Sequence, residues 1–441
     1  VTGAISEASP PAEAQPGEAG RLRDDVARLL PLAILTYSYL LFPPETRFAA
    51  ETLALPLYRI AIIVFAYPAA ARFIRGEVRM QLPDFLVLAA AGWMIVSFLA
   101  VYSVGEGLIR SGAIVIDTAG AYFVARSSVQ NLTDLRRLLV ILAPGLAFAG
   151  ATMFLESISR EVFYRPMFAG LLGPLPLFAA GEVVGTMDTA AQLRLGLARG
   201  LGPFSHQILG GSILASVFAL YALSRLRSWP RWAGLLAAVC GFFSLSSAAI
   251  LGLLFAAGMI VTDRVRAMVR GANWYLILAA YALGALALQV FSESGLINLI
   301  SRLTLNPQTA FYRQLIWQYG WQAVLEHPLV GLGYGQHDRP QWLGPSVDAH
   351  FLALAIRHGV LVPILLMTAV IVIMVVLGRS VARSRGMDRD LLFGVNVTIA
   401  MLFTLSMTVM FFSEANIWFM SMIAVGASLA YAPITPAVSK D

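Results

Sequence analysis

About a dozen apolar stretches alternate with polar links along this chain, and arginine clusters fill every second link. A bilayer core takes about 20 apolar residues per helix. Stretches of that kind begin near Ala27, Leu53, Leu82, Glu106, Leu138, His206, Trp232, Ala248, Trp274, Leu352, Leu391 and Asn416. The links holding Arg21/Arg23/Arg28, Arg72/Arg75/Arg79, Arg126/Arg136/Arg137, Arg225/Arg227/Arg231, Arg264/Arg266/Arg270 and Arg379/Arg383/Arg385/Arg389 then all share one side. Basic clusters stay on the cytoplasmic side of a membrane. The expected fold is therefore all-α and polytopic, with about 12 spans and both termini cytoplasmic. One transmembrane domain covers 27–432, between a polar tail (1–26, disordered by composition) and a short cytoplasmic end (433–441).

Composition agrees. The 441 residues are 58% hydrophobic and 13% charged, against roughly 25% charged in soluble domains. The net charge of +6 does not point to nucleic acid, because the clusters lie where cytoplasmic loops belong. All basic residues but Lys440 are arginine, a bias of composition more than of function. Cys240 is the sole cysteine, which excludes a disulfide framework or a cysteine metal site. No Gly-Lys-Ser/Thr phosphate loop and no paired-carboxylate metal motif stand out, so neither metal nor cofactor is expected.

Two links on the arginine-poor side are long, 157–205 and 291–350, and both are rich in aromatics and leucine. Loops longer than about 15 residues in a compact protein are functional or disordered. Within the first, Met167–Ala180 is apolar but broken by Pro174 and Pro176, which predicts an interfacial or re-entrant segment. The run His350–Gly378 is too long for one upright span and is interrupted by Arg357, His358 and Pro363. It reads as a short interfacial helix, a bend and a span.

The lone arginines of these loops need an explanation separate from topology. Arg194 and Arg199 enter a glycine-rich turn that ends at His206, Gln207 and Gly210-Gly211. Guanidinium forks match phosphate oxygens, and glycines and a helix N-terminus let backbone N–H groups approach an anion. The plainer reading is a pair of snorkelling arginines and a histidine cap. The second loop supplies Arg302, Arg313, Asp338, Arg339, Asp348 and His350. Asp348 and His350 are candidate general bases toward a hydroxyl; as plainer roles, Asp348 also suits a helix N-cap and His350 a cap or interfacial position. Arg59, Arg110, Asp117 and Arg357 fall within apolar stretches, where an ionisable group is by default functional. Arg59 and Asp117 read best as a structural ion pair, although Asp117 also suits a proton pathway.

The segments ARGLGPFSHQILGG (198–211), FFSLSSAAILGL (242–253), FYRQLIWQYGWQAVLEHPLVGLGYG (311–335) and SVDAHFLALAIRHGVL (346–361), and more weakly GAYFVARS (120–127), resemble the O-antigen ligase and O-antigen/exopolysaccharide polymerase superfamily. The resemblance covers most of the chain in topology and about a quarter of it in motifs. It implies a GT-C-like helical glycosyltransferase of the bacterial inner membrane. Such an enzyme takes a glycan from undecaprenyl diphosphate on the periplasmic face and moves it, without metal, to the hydroxyl of an acceptor glycan or lipid. By the same resemblance Arg199 and Arg313 match the diphosphate-gripping arginines, with Arg194 and Arg302 in support. His206, Arg339 and Asp338 are further substrate-loop candidates. Asp348 stands where ligases of the family carry histidine and His350 follows two residues later, so either takes the role of base. That departure leans toward the exopolysaccharide or O-antigen polymerase branch over a ligase to a lipid or protein. Membrane lipids, a chain-length regulator and export proteins are the partners such a role implies. From other classes, a lipid-linked oligosaccharide flippase or secondary transporter would place its site at the midplane between repeated halves, and no convincing internal repeat is seen. A structural scaffold would not concentrate Arg, His and Gly in the loops of one face.

Overall fold

A computed structural model describes residues 16–50, 53–179, 182–186, 190–269, 274, 277, 283, 307–344 and 346–432. Arg302 and nearly all of the stretch expected to span from Trp274 lie outside them. In chain order the helices begin with α1 (Pro16–Leu40), α2 (Leu57–Ile74), α3 (Leu82–Val101), α4 (Val104–Val115) and α5 (Ala121–Ser128), the last two joined by a π turn, Ile116–Gly120. Next come α6 (Leu132–Ser159), α7 (Tyr164–Leu172), α8 (Gln207–Leu223), α9 (Trp229–Cys240) and α10 (Ser247–Met268). The last are α11 (Pro307–Glu326), α12 (His350–His358), α13 (Leu361–Arg383), α14 (Gly386–Ser406) and α15 (Glu414–Ala430).

Among the described residues, seven helical segments are long and apolar enough to cross a bilayer. They are α2, α3, the continuous Val104–Ser128, α6, α10, α13 and α14. Three shorter apolar helices accompany them, Val26–Leu40, α8 and α15. This is a multi-pass membrane protein, mostly helical. Two of the shorter helices, α8 and α15, are central. Every residue of α15 is buried, and so is most of α8. A helix walled by others need not present a full apolar length to lipid. Helicity begins at Pro16, inside the stretch read as a tail. Among the described residues, strands enter only as two-stranded hairpins, β1 (Arg47–Ala50) with β2 (Leu53–Pro56), β3 (Pro176–Ala179) with β4 (Glu182–Thr186), and β5 (Leu193–Arg194) with β6 (Leu197–Ala198). Part of the Met167–Ala180 run is thus strand: α7 stops at Gly173 (φ 86) and the chain continues into β3.

The arginine-rich links meet at one end of the bundle. Arg28 pairs with Asp134 at 2.6 Å, Arg136 with Asp388 at 2.8 Å, Arg225 with Asp390 at 2.7 Å and Arg389 with Asp263 at 2.6 Å. Arg72 donates to the Ser127 carbonyl and Arg126 to that of Arg79. All six clusters are tied into one network, in which several of the arginines are paired with carboxylates. The opposite end, called here the loop face, is built differently.

The long run from His350 resolves as expected into a short helix, a break and a span. The break is Gly359 (φ 76), where a Cβ would collide with the carbonyl of Leu329. Arg59 grips Asp117, within the π turn, through two hydrogen bonds of 2.9 and 2.6 Å, so the expected ion pair forms.

Candidate functional site

Three buried carboxylates fasten the first long loop to the helices beneath it. Glu156, near the end of α6, accepts backbone N–H groups from Phe163 and Tyr164 through one oxygen. Its other oxygen accepts from Leu201 and Gly202, both at 2.7 Å. Glu45 is paired with Arg165, whose NH1 donates to the Ser205 carbonyl at 2.9 Å. Glu414, first residue of α15, accepts the N–H and the hydroxyl of the same Ser205. The backbone on either side of Arg199–His206 is therefore pinned from below. Buried N–H groups left without acceptors cost about 1–3 kcal/mol each. Glu156→Leu orphans four of them, and a marked fall in Tm with faster proteolysis in 157–205 is the expected outcome. Unchanged melting and cleavage would show that the latch is dispensable.

The glycines of this turn serve packing, which corrects the expectation that their N–H groups face an anion. The N–H of Gly200 goes to Phe243 and that of Gly202 to Glu156. Gly210 and Gly211 lie inside α8, where a Cβ would strike Phe204 and Ser244.

The arginines carry the open charge. Arg199 is 8% exposed, and its Nε donates to the Ser244 carbonyl at 3.2 Å and its NH1 to the Gln192 side chain at 3.0 Å. Arg194 donates to the Leu245 carbonyl at 2.8 Å. Those carbonyls come from the 3-10 turn Gly241–Ser244 and the left-handed Leu245, at the C-terminal end of α9. A helix C-terminus is a partial negative charge. It holds both guanidinium groups in place without neutralising them. Burial and the neighbouring Arg194 push Arg199 down to about 10. Among the described residues, no carboxylate lies within ion-pair distance of Arg194, Arg199 or Arg313.

His206 caps α8, its Nδ1 accepting the Ile208 N–H at 3.2 Å. Burial and Arg199 hold its proton affinity down to about 4, with Asp348 opposing. The ring is neutral at pH 7. Because Nδ1 is an acceptor, the proton sits on Nε2, which makes His206 a donor.

Asp348 is half-buried just before α12 and accepts the Ser346 hydroxyl at 2.6 Å. It is within electrostatic reach of both His206 and Arg313. Arg313, one turn into α11, is lowered by burial, and its Nε is buried without a hydrogen-bond partner. Electrostatic influence thus runs pairwise from Arg194 to Arg199, from Arg199 and Asp348 to His206, and from Asp348 to Arg313.

No family model matches this chain, and no curated protein does. The reading of the site stands on its residues.

Some expected members are not in the cluster. His350 is 3% exposed and packs against Phe351, Phe411 and Phe419. Burial holds it at about 4, and Nδ1 has no partner. It is a core histidine. Arg339 closes its own turn through the Leu343 carbonyl at 3.2 Å, and exposed Asp338 acts on the adjacent His337. A small cavity lined by Tyr39, Pro43, Tyr58, Pro203 and Glu414 adjoins Ser205 but includes neither Arg199, Arg313 nor Asp348. The sequence reading missed Glu45, Glu156 and Glu414, although isolated glutamates at the ends of apolar stretches were the available signal. The HPLVGLGYG motif (327–335) is structural: the N–H groups of Leu332 and Gly333 cap the Ile356 and Arg357 carbonyls that end α12.

His206 and His350 also set a pH dependence. In the unfolded chain both take up a proton near 6.5, whereas the fold refuses it until about 4. Between those values the unfolded state binds more protons, so stability rises with pH. Tm should therefore fall as pH drops from 7 toward 4, and less steeply in His350→Phe. A flat profile would contradict the neutral assignment.

Proposed function

We propose that this protein is a membrane glycosyltransferase that moves a glycan from a polyprenyl-diphosphate carrier to an acceptor hydroxyl, as an exopolysaccharide or O-antigen polymerase. The observation that carries the reading is the pair Arg194 and Arg199, held on the loop face by carbonyls with no carboxylate at ion-pair distance, together with Arg313 on the second loop, whose buried Nε has no hydrogen-bond partner. Such a group suits a ligand that brings its own negative charge. With it goes a topology of about 12 spans, the arginine-rich end in the cytoplasm of a bacterial inner membrane and the loop face periplasmic.

The chemistry follows from the arrangement. The acceptor oxygen attacks the anomeric carbon as the sugar–diphosphate bond breaks, and the bonding electron pair leaves on the diphosphate. Arg199 and Arg313, with Arg194 behind, stabilise that growing charge without reorganising. The Nε2–H of His206 adds a neutral donor. Asp348 takes the hydroxyl proton. No metal is required by these steps. A ligase differs only in the acceptor.

The transporter reading drew on Asp117 as a member of a proton pathway; here Asp117 is bound to Arg59. The deciding experiment is incubation of the purified chain with polyprenyl-diphosphate glycan. Lengthened glycan and released polyprenyl diphosphate support transfer. Translocation of the lipid with no change in chain length would replace it with transport.

A further inference from the structure

From Gln314 onward, helix α11 divides its surface into three sectors. Ile316, Gly320, Ala323 and Val324 are buried, packed largely against α12. At i, i+4 and i+8, Trp317, Trp321 and Leu325 are 37%, 49% and 63% exposed, and Leu329 just beyond is 68% exposed. A neighbouring row, Gln314, Gln318, Gln322 and Glu326, is also exposed. At 3.6 residues per turn these are adjacent stripes, one apolar and one polar.

Two hydrogen bonds give the helix its level in the membrane. The Trp317 indole donates to the Met407 carbonyl, just past the end of α14 on the loop face. At the other end, the Leu329 carbonyl accepts from the Trp93 indole at 3.1 Å, as does that of His358. Trp93 belongs to α3, whose 20 residues give about 30 Å, a full hydrocarbon thickness. From Trp93 to the loop-face end at Val101 is about 12 Å of helix. Exposed Leu325 and Leu329 are therefore held below the rim of the bundle, where the surrounding medium is lipid.

We infer that α11 is an interfacial helix, its Trp317–Trp321–Leu325 row and Leu329 seated in the lipid of the loop-side leaflet and its glutamine row turned to water. Tryptophan is at home at that depth, and an apolar stripe beside a polar one is what such a helix requires. One consequence rests on the transfer reading above. Arg313, four residues before Trp317, is held at headgroup level, where the diphosphate of a lipid-borne donor would travel.

The seating can be measured without any substrate. On a Cys240→Ser background, nitroxide labels at Trp321→Cys, Leu325→Cys, Gln318→Cys and Gln322→Cys are compared in phospholipid nanodiscs. The expected result is that 321 and 325 collide mainly with oxygen, which concentrates in lipid, while 318 and 322 collide mainly with a water-soluble nickel chelate. Nickel access at all four positions overturns the inference and leaves an aqueous aromatic face suited to sugar. Protection from both agents at 321 and 325 also overturns it, pointing to a second copy of the chain as the cover. If the labels behave as expected but polyprenyl-diphosphate glycan is never turned over, the helix seating survives and the transfer reading falls.

Discussion

Arg199→Gln leaves the protein folded and inserted but lowers glycan transfer by about 100- to 1,000-fold, the cost of losing one preorganised stabiliser of a charged leaving group. The separation of the two effects follows from how Arg199 is held. Its Nε contacts one carbonyl and its NH1 one amide, and its charge faces burial and Arg194 with no carboxylate in compensation. Two hydrogen bonds contribute about 0.5–1.5 kcal/mol each. Relief of the buried, repelled cation offsets that loss, so the melting temperature should hold or rise. Arg313→Gln should behave alike, because its buried Nε has no partner to lose. The check is transfer from polyprenyl-diphosphate glycan beside thermal unfolding in detergent. Activity lost only in proportion to melting would mean that the arginines are scaffolding.

That the chain is a helical, multi-pass membrane protein was legible because lipid forces it. Apolar stretches must be helical to satisfy their backbones, and the described ones are, with the arginine-rich links gathered at one end. The loop face was legible in its residue types and less so in its roles. Arg199, Arg313, His206 and Asp348 announced themselves as polar groups among apolar neighbours. What kept them from being assembled is that their spacing in sequence says nothing of the carbonyls at Ser244 and Leu245 or the latch at Glu156, which set their positions from distant segments. The glycines misled for a related reason. A glycine tolerates close approach by any neighbour, and at Gly200 and Gly211 the neighbours are helices of this chain. His350 and Asp348, two residues apart, could be told apart only once α12 fixed which of them faces the aromatic core.

That difference yields the sharper test. Asp348→Asn should abolish turnover, a loss of about 100- to 10,000-fold for removal of a general base, with little effect on melting. Asp348 is half-buried and bonded to Ser346 alone, and asparagine keeps an oxygen for that hydroxyl. Asp348→Glu, which restores a carboxylate at a longer reach, should recover part of the rate. His350→Phe should do the reverse. It leaves transfer running, because the ring it replaces packs among Phe351, Phe411 and Phe419 and is neutral far below pH 7. It should lower stability by about 1–3 kcal/mol, since the larger phenyl ring must fit a core already packed around the imidazole. The pair of variants separates chemistry from packing at two adjacent positions. An inactive His350→Phe with an active Asp348→Asn would move the proton acceptor into the aromatic core and require α12 to rotate before the acceptor could reach it.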